Sequence, residues 1–142
     1  MFKKLSSGWG GGADREAARR RGVEAEQRAL DHLRRQGLRL VARNYRVARG
    51  PSARGGEVDL ILRERDGTLV FVEVRAREDG EHGGAAASVT RGKQQRVIFA
   101  ARCFLQSMAD VPPCRFDVVA IEGDRIEWLR AAFDVPDEGW TA

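Results

Sequence analysis

The run of apolar residues from Leu69 to Ala76 constrains the fold of this chain more than any other feature. It reads Leu-Val-Phe-Val-Glu-Val-Arg-Ala, so apolar side chains would point to both faces of a strand. A strand that is buried on both faces lies inside a sheet covered on both sides. The run therefore predicts a central strand in a sheet that is flanked by helices.

Periodicity and turn residues divide the whole chain into the order α-β-β-β-α-β-β. Asp14 is predicted to cap the first helix and Gly37 to end it, while Ser88 or Thr90 is predicted to cap the second helix. Short turns should make the first three strands antiparallel, and a right-handed crossover through the second helix should make the third and fourth strands parallel. The predicted helices cover about 14–36 and 90–108, and the predicted strands cover 38–46, 57–63, 69–76, 116–121 and 126–129.

Length and composition exclude several classes of protein. The 142 residues suffice for one domain, and no apolar run approaches the ~20 residues that a membrane span needs. The N-terminus has positive charge without the apolar core of a secretion signal. Cys103 and Cys114 cannot supply a zinc site or a disulfide framework. A cytoplasmic protein with no membrane segment is expected.

Basic charge is concentrated in the first half of the chain. Residues 1–60 carry 14 basic and 7 acidic side chains, whereas residues 61–142 carry 11 and 14. The basic half suggests a polyanionic partner such as nucleic acid, and a solvated helix face is the alternative. Of the 25 basic residues 22 are arginine, which leaves Lys93 as the only lysine beyond residue 4.

Charged residues also occupy positions where the pattern asks for apolar ones. Glu26 shares a helix face with three apolar residues, Glu57 and Asp59 alternate along the second strand, and Glu73 interrupts the central run. Lys93 leads into the apolar stripe of the second helix. Burial of an unpaired carboxylate costs several kcal/mol, in the range of about 3–5, so these acids need partners.

Two kinds of partner could satisfy the acids. In one interpretation Glu73 pairs with Arg75 and Glu26 meets another arginine. In the other, Asp59, Glu73 and Glu26 together hold a divalent cation, for which hard oxygen ligands select Mg²⁺ or Mn²⁺. Such a cation can polarise a phosphodiester, and a nearby ammonium can stabilise the charge that develops during its hydrolysis.

Several short motifs resemble those of a known family. The acidic strands resemble the signature of the PD-(D/E)XK nuclease superfamily. The set as a whole resembles the bacterial YraN family, which is related to archaeal Holliday junction resolvases, over about residues 20–134. The motifs are Gly22-Val-Glu-Ala-Glu26, Arg43-Asn-Tyr-Arg46, Gly55-Gly-Glu-Val-Asp-Leu-Ile61, Val70-Phe-Val-Glu-Val-Arg75, Val89-Thr90 with Lys93-Gln94, and Cys114-Arg-Phe-Asp-Val-Val119.

The resemblance implies a restriction-endonuclease-like αβββαβ core with a mixed sheet, and a metal-dependent endonuclease. Asp59 and Glu73 match the two metal-binding acids, Glu26 matches the helix-borne acid of the resolvase branch, and the carbonyl of Val74 would be a further metal ligand. Resolvases of this type act as dimers on branched DNA, but this property does not transfer on the fold alone, so a homodimer and a monomer both stay open. The expected organisation is a flexible tail over 1–13, one nuclease-like domain over 14–135 and a C-terminal tail over 136–142.

Arg75 departs from the superfamily pattern, which has a lysine at this position. Arginine keeps the positive charge but stays protonated at any useful pH, so it cannot share a proton with an attacking water. Our hypothesis is that Lys93, on the second helix, joins the catalytic group of Glu26, Asp59, Glu73 and Arg75.

Other residues are assigned to binding or to structure. A loop that looks longer than usual for the family carries Arg49 and Arg54, which with Arg91 and Arg96 are the predicted nucleic-acid contacts; a solvated insertion is the alternative for the loop. Asp117 is expected to pair with an arginine. The aromatic residues of the predicted elements are interpreted as core rather than base-stacking platforms, namely Phe71, Phe99, Phe104, Phe116 and Trp128.

Three functions follow from this sequence. The leading hypothesis is a Mg²⁺- or Mn²⁺-dependent endonuclease that hydrolyses DNA phosphodiesters, at branched or single-stranded structures in repair or recombination. The second is a nucleic-acid-binding module with a weakened or inactive nuclease site. The third is a protein-interaction domain, which would bind DNA no better than any other polyanion.

Overall fold

A computed structural model describes residues 3–51, 53–77 and 89–135, with only the backbone of residues 3–10. The element order is α-β-β-β-α-β-β, as the sequence predicts. The elements are α1 (Lys3–Arg35), β1 (Arg39–Val47), β2 (Gly56–Arg63), β3 (Leu69–Arg77), α2 (Arg91–Gln106), β4 (Cys114–Glu122) and β5 (Arg125–Phe133).

The five strands form one mixed sheet in the order β1-β2-β3-β4-β5. Strands β1, β2 and β3 are antiparallel neighbours, β3 and β4 are parallel, and β4 and β5 are antiparallel. Strand β3 is the middle strand, and its first five residues are buried. The predicted α/β fold with a restriction-endonuclease-like core and a mixed sheet is therefore confirmed.

The two helices cover opposite faces of the sheet, because side chains alternate along β3. Val70 and Val72 belong to an apolar cluster with the buried face of α1, which includes Leu30. Leu69 and Phe71 belong to a second cluster with the buried face of α2. A strand that is apolar on both faces is thus explained by a helix on each side.

Helix α1 differs from the prediction at its beginning. It starts at Lys3, so Asp14 lies inside the helix and does not cap it, and residues 3–13 of the predicted tail are helical. Elongation of a helix adds one hydrogen bond per residue, and Gly10 to Gly12 weaken a helix by about 1 kcal/mol each without blocking it as proline would. Residues 11–24 are exposed except for Ala17, so burial of α1 begins only at Ala25.

The predicted C-terminal stop of α1 and one of the two predicted N-caps of α2 are confirmed. Gly37 has a φ of +99° and the Leu38 amide donates to the Leu33 carbonyl, which is the Schellman arrangement of a helix C-terminus. Helix α2 has Thr90 as its N-cap, and the Thr90 side chain accepts a hydrogen bond from the Lys93 amide at 3.2 Å. The other predicted cap, Ser88, and the predicted tail over 136–142 lie outside the described residues.

Asp117 lies on β4, is fully buried and pairs with an arginine, as expected. Its Oδ1 accepts from Arg115 Nε at 2.8 Å and from the Ala131 amide at 2.9 Å, and its Oδ2 accepts from Trp128 Nε1 at 2.9 Å. The carboxylate thereby fixes the irregular end of β5, where Ala131 has a φ of +51°. No helix in the described part of the chain is long and apolar enough to span a bilayer.

Candidate metal and nucleic-acid site

The site begins where the β2–β3 ladder stops. The paired register ends at Leu60 opposite Val72, so the next residues outward are Asp59 on β2 and Glu73 on β3. The Val74 amide donates to Asp59 Oδ2 at 2.8 Å, which joins β3 to the Asp59 side chain. Glu73 is only 4% exposed. Two carboxylates thus lie on adjacent strands at one end of the ladder.

A cleft of about 420 Å³ collects most of the predicted catalytic and metal-binding residues. It contains the three predicted acids, Lys93 and Val74, but Arg75 is not among its described lining residues. The cleft is lined by Arg19, Gly22, Val23, Ala25, Glu26, Asn44, Arg46, Glu57, Asp59, Glu73, Val74, Ala76 and Lys93.

Lys93 reaches the acids from the first turn of α2. Its Nζ lies 3.3 Å from Glu73 Oε1, with the lysine side chain about one-third exposed and the glutamate buried. The cation that pairs with Glu73 is therefore Lys93, and the interpretation in which Arg75 neutralises Glu73 is wrong. The signal for this was present in the sequence, since Lys93 is the only lysine beyond residue 4.

The position of α2 over β2 depends on Gly56. A Cβ at this residue would stand 2.6 Å from the Arg96 carbonyl oxygen and 2.7 Å from the Ala100 amide nitrogen. The backbones can approach this closely only because glycine lacks a side chain. The close approach and the Thr90 cap together hold Lys93 against Glu73.

Burial of its carboxyl group and the like charges around it raise the pKa of Asp59 to about 7. Burial is the main cause, and the negative charges of Glu73, Glu26 and Glu57 act in the same direction. The hydrogen bond from the Val74 amide opposes this effect by stabilising the carboxylate. A carboxyl group with this environment is poised to exchange its proton for a cation.

Glu26 lies on the same cleft, but β1 already engages one of its oxygens. Its Oε1 accepts from Arg43 Nε at 3.2 Å, Arg43 Nη2 at 3.0 Å and Asn44 Nδ2 at 3.1 Å. The expectation that Glu26 meets another arginine is confirmed. Sequence reasoning gave Arg43 and Asn44 no role, although they belong to the Arg43-Asn-Tyr-Arg46 motif and Asn44 adopts a φ of +50°.

The donor set near the ladder end fits a hard divalent cation. In the described part of the chain, no three His, Cys, Asp or Glu side chains are grouped closely enough to form a complete metal site. Mg²⁺ commonly needs only one or two carboxylates, because water and substrate phosphates complete its octahedron. Asp59 and Glu73 supply two carboxylates, and Val74 lines the same cleft.

A second cleft, of about 480 Å³, adjoins the first through Lys93, which lines both. Three of the four predicted nucleic-acid contacts line it, namely Arg49, Arg54 and Arg96, whereas Arg91 is exposed and is not among the lining residues. The remaining described residues that line it are Ala53, Gly55, Thr90, Gly92, Gln95 and Phe99.

Phe99 is not a core residue, so the interpretation of the aromatic residues as core is wrong at this position. Phe71 and Phe116 are buried in the α2-side cluster, as predicted, and Phe104 packs against it. Phe99 is only half-buried and lines the second cleft instead. The guanidinium carbon of Arg49 lies over its ring, 4.7 Å from the ring centroid.

Comparison with known proteins decides the family. The protein-family model described as "Uncharacterised protein family UPF0102" matches residues 25–121 of this sequence. The chain belongs to the UPF0102 family. A UPF0102 protein of Methylibium petroleiphilum is 66% identical over 113 residues, which cover 80% of this chain and 93% of that protein.

Two further UPF0102 proteins match over most of their length. The one from Paracidovorax citrulli is 53% identical over 94% of this chain and 97% of its own length. The one from Cupriavidus taiwanensis is 60% identical over 84% of this chain and 86% of its own length. The predicted YraN membership is thereby confirmed, since YraN and UPF0102 denote one family, and the matched region contains Glu26, Asp59, Glu73 and Lys93.

Proposed function

We propose that this UPF0102 protein is a Mg²⁺- or Mn²⁺-dependent endonuclease that hydrolyses DNA phosphodiester bonds. One observation carries the proposal: Asp59 and the buried Glu73 end one strand ladder, and the only lysine beyond residue 4 pairs with Glu73. Structural ion pairs do not require two acids side by side with a single cation. Branched and single-stranded DNA are the expected substrates, in repair or recombination.

Asp59, Glu73 and the carbonyl of Val74 are the residues that would hold the cation. When bound, a divalent cation supplies Lewis acidity toward a phosphodiester oxygen and lowers the pKa of water. Glu26 would form the opposite wall of the cleft, where Arg43 and Asn44 fix its orientation through Oε1. We therefore assign Glu26 to the positioning of the acidic cleft, with a direct role as ligand only through its second oxygen.

Lys93 would take the part that the superfamily gives to a lysine on the β3 strand. Its ammonium can donate to a phosphoryl oxygen on which negative charge develops. A lysine in an enzyme site can also give up a proton, whereas an arginine stays protonated. Hydrolysis adds water across one P–O bond and leaves a hydroxyl on one product and a phosphate monoester on the other. Arg75, outside the described cleft lining, would contribute positive charge only at a distance.

Basic residues on both clefts would hold the phosphate backbone. Arg19 and Arg46 line the acidic cleft, and Arg49, Arg54 and Arg96 line the adjoining cleft. Glu57 tempers this charge, because it lies 3.4 Å from Arg46 and 3.9 Å from Arg96. Contacts of this kind position nucleic acid without reading its sequence.

The test is a cleavage assay with labelled single-stranded, duplex, flap and four-way-junction DNA. Each substrate is incubated with Mn²⁺, Mg²⁺ or EDTA, and binding is measured in parallel against DNA and heparin. Cleavage with metal and none with EDTA is the expected result. Absence of cleavage with salt-sensitive DNA binding would favour the inactive binding module, and equal binding of DNA and heparin without cleavage would favour the protein-interaction domain.

A further inference from the structure

The second cleft, which adjoins the acidic cleft, has both cationic side chains and an aromatic ring. Binding of phosphate alone would not require the aromatic ring. Arg49 lies over Phe99 at 4.7 Å from the ring centroid, and Phe99 is outside both buried clusters. Arg54 and Arg96 line the same cleft, and Lys93 joins it to the acids. A purely electrostatic groove would be served by the arginines alone.

The ligand that matches this combination has a flat π face and a phosphate. Bases stack on aromatic rings and on guanidinium planes, and such stacking contributes about 1–3 kcal/mol per base in single-strand-binding proteins. The cleft volume of about 480 Å³ lies in the range of sites for small ligands. Inside an intact duplex the faces of the bases are covered by their neighbours, so only an unpaired nucleotide can present one.

We infer that this second cleft binds an unpaired nucleotide of DNA, with the base against the Arg49–Phe99 pair and the phosphate near Arg54 and Arg96. Lys93 lies between the two clefts, so the bound nucleotide is next to the phosphodiester at Asp59 and Glu73. Only this adjacency rests on the proposed nuclease function; the nucleotide site itself does not. The site would direct the protein to single strands, flaps and junctions and away from perfect duplexes.

The experiment measures binding in EDTA, so that no cleavage interferes. Fluorescence anisotropy compares a short labelled oligothymidylate with an abasic strand that has the same number of phosphates. Wild type should bind the thymidylate strand about tenfold more tightly. Phe99→Leu and Arg49→Ala should bring this ratio close to one, while Arg130→Ala should leave it unchanged. Arg130 is the matched control because it lies over the Trp128 ring, 4.0 Å from its centroid, and lines neither cleft.

A second variant, Phe99→Trp, tests the same site in case Phe99→Leu does not fold. It should keep the affinity ratio and add an indole whose emission falls when the thymidylate strand is added and not when the abasic strand is added, after subtraction of the wild-type signal. Equal affinity of wild type for the two strands would overturn the inference, and so would an unchanged ratio in a folded Phe99→Leu. Cleavage of DNA without a preference for the thymidylate strand would refute the nucleotide site and leave the nuclease proposal intact. A preference for the thymidylate strand without cleavage would refute the nuclease proposal and leave the nucleotide site intact.

Discussion

Glu73 lies in the interior of the sheet with the Lys93 ammonium 3.3 Å from its carboxylate. The nuclease signature that the sequence resembles has a lysine at the position of Arg75, whereas Lys93 lies on α2. Under the proposed function, hydrolysis at the ladder end would therefore depend on a side chain supplied by α2. At the scale of the residue, this is the feature on which we expect the proposed activity to depend most.

Lys93→Ala should reduce the cleavage rate by about 10²–10³-fold, because a positioned donor to the developing charge is removed. Lys93→Arg should recover only part of the rate, and Arg75→Lys should change it by less than about threefold, since Arg75 is outside the cleft lining. Initial rates with Mn²⁺ measure these effects, and thermal unfolding checks that each variant folds. Full activity of Lys93→Ala would show that the lysine serves only as an ion-pair partner.

Asp59 gives a second prediction at this scale, for the metal-free protein. Its pKa is raised to about 7 from 3.8, so the folded state binds a proton more tightly than the unfolded state does. The free energy of unfolding should therefore fall as the pH rises from about 4 to about 7. Asp59→Asn removes this loss and should be more stable than wild type at pH 8 by an amount on the order of a few kcal/mol. Parallel stability curves in EDTA for the two proteins would contradict it.

Helix α2 is the element that assembles the site, and Gly56 sets its distance from the sheet. Gly56→Ala would place a Cβ 2.6 Å from the Arg96 carbonyl oxygen, so α2 must shift. We expect a loss of about 1–3 kcal/mol in stability and reduced cleavage, because Lys93 moves with the helix. Gly12→Ala is the control, since a Cβ there meets nothing within 4 Å. It should raise helix stability, by up to about 1 kcal/mol. Equal melting temperatures for Gly56→Ala and wild type would disprove the steric account.

Local chemistry determined how much of each element could be predicted. Thr90 begins α2 and Gly37 follows the end of α1, in both cases with hydrogen bonds between residues close in sequence, and both residues appear in the sequence as cap signals. The start of α1 could not be predicted, because residues 11–24 are mostly exposed and their pattern shows no buried face. The Glu26–Arg43 pair joins residues 17 apart on different elements, and no local signal specifies it.

At the scale of the whole molecule, the fold brings arginines from the basic first half of the chain to two neighbouring clefts. Arg19, Arg46, Arg49 and Arg54 come from that half, and Arg96 is brought beside them by α2. The sequence indicated the acids and the basic partner separately. That Asp59 and Glu73 come together could be predicted from the antiparallel strands, whereas the second cleft depends on how α2 lies over the loop, which composition does not reveal.

This charge distribution predicts how binding responds to salt. The affinity for single-stranded DNA should fall linearly with salt on a log–log plot. Arg54→Ala should reduce the slope by about 0.7, because one arginine no longer neutralises a phosphate. Arg130→Ala has the same change in net charge and lines neither cleft, so its slope should equal that of wild type. Equal slopes for Arg54→Ala and Arg130→Ala would mean that net charge, rather than the cleft, attracts the DNA.

The most direct measurement is the cleavage of the preferred DNA substrate by Asp59→Asn, Glu73→Gln and Glu127→Gln in the presence of Mn²⁺. Glu127 is an exposed acid on β5 and lines neither cleft, so its variant is a matched control for the loss of one carboxylate. If the acids at the end of the β2–β3 ladder perform the hydrolysis, both cleft variants lose cleavage while Glu127→Gln keeps it. Cleavage that survives in Asp59→Asn and Glu73→Gln would place the activity outside this cleft.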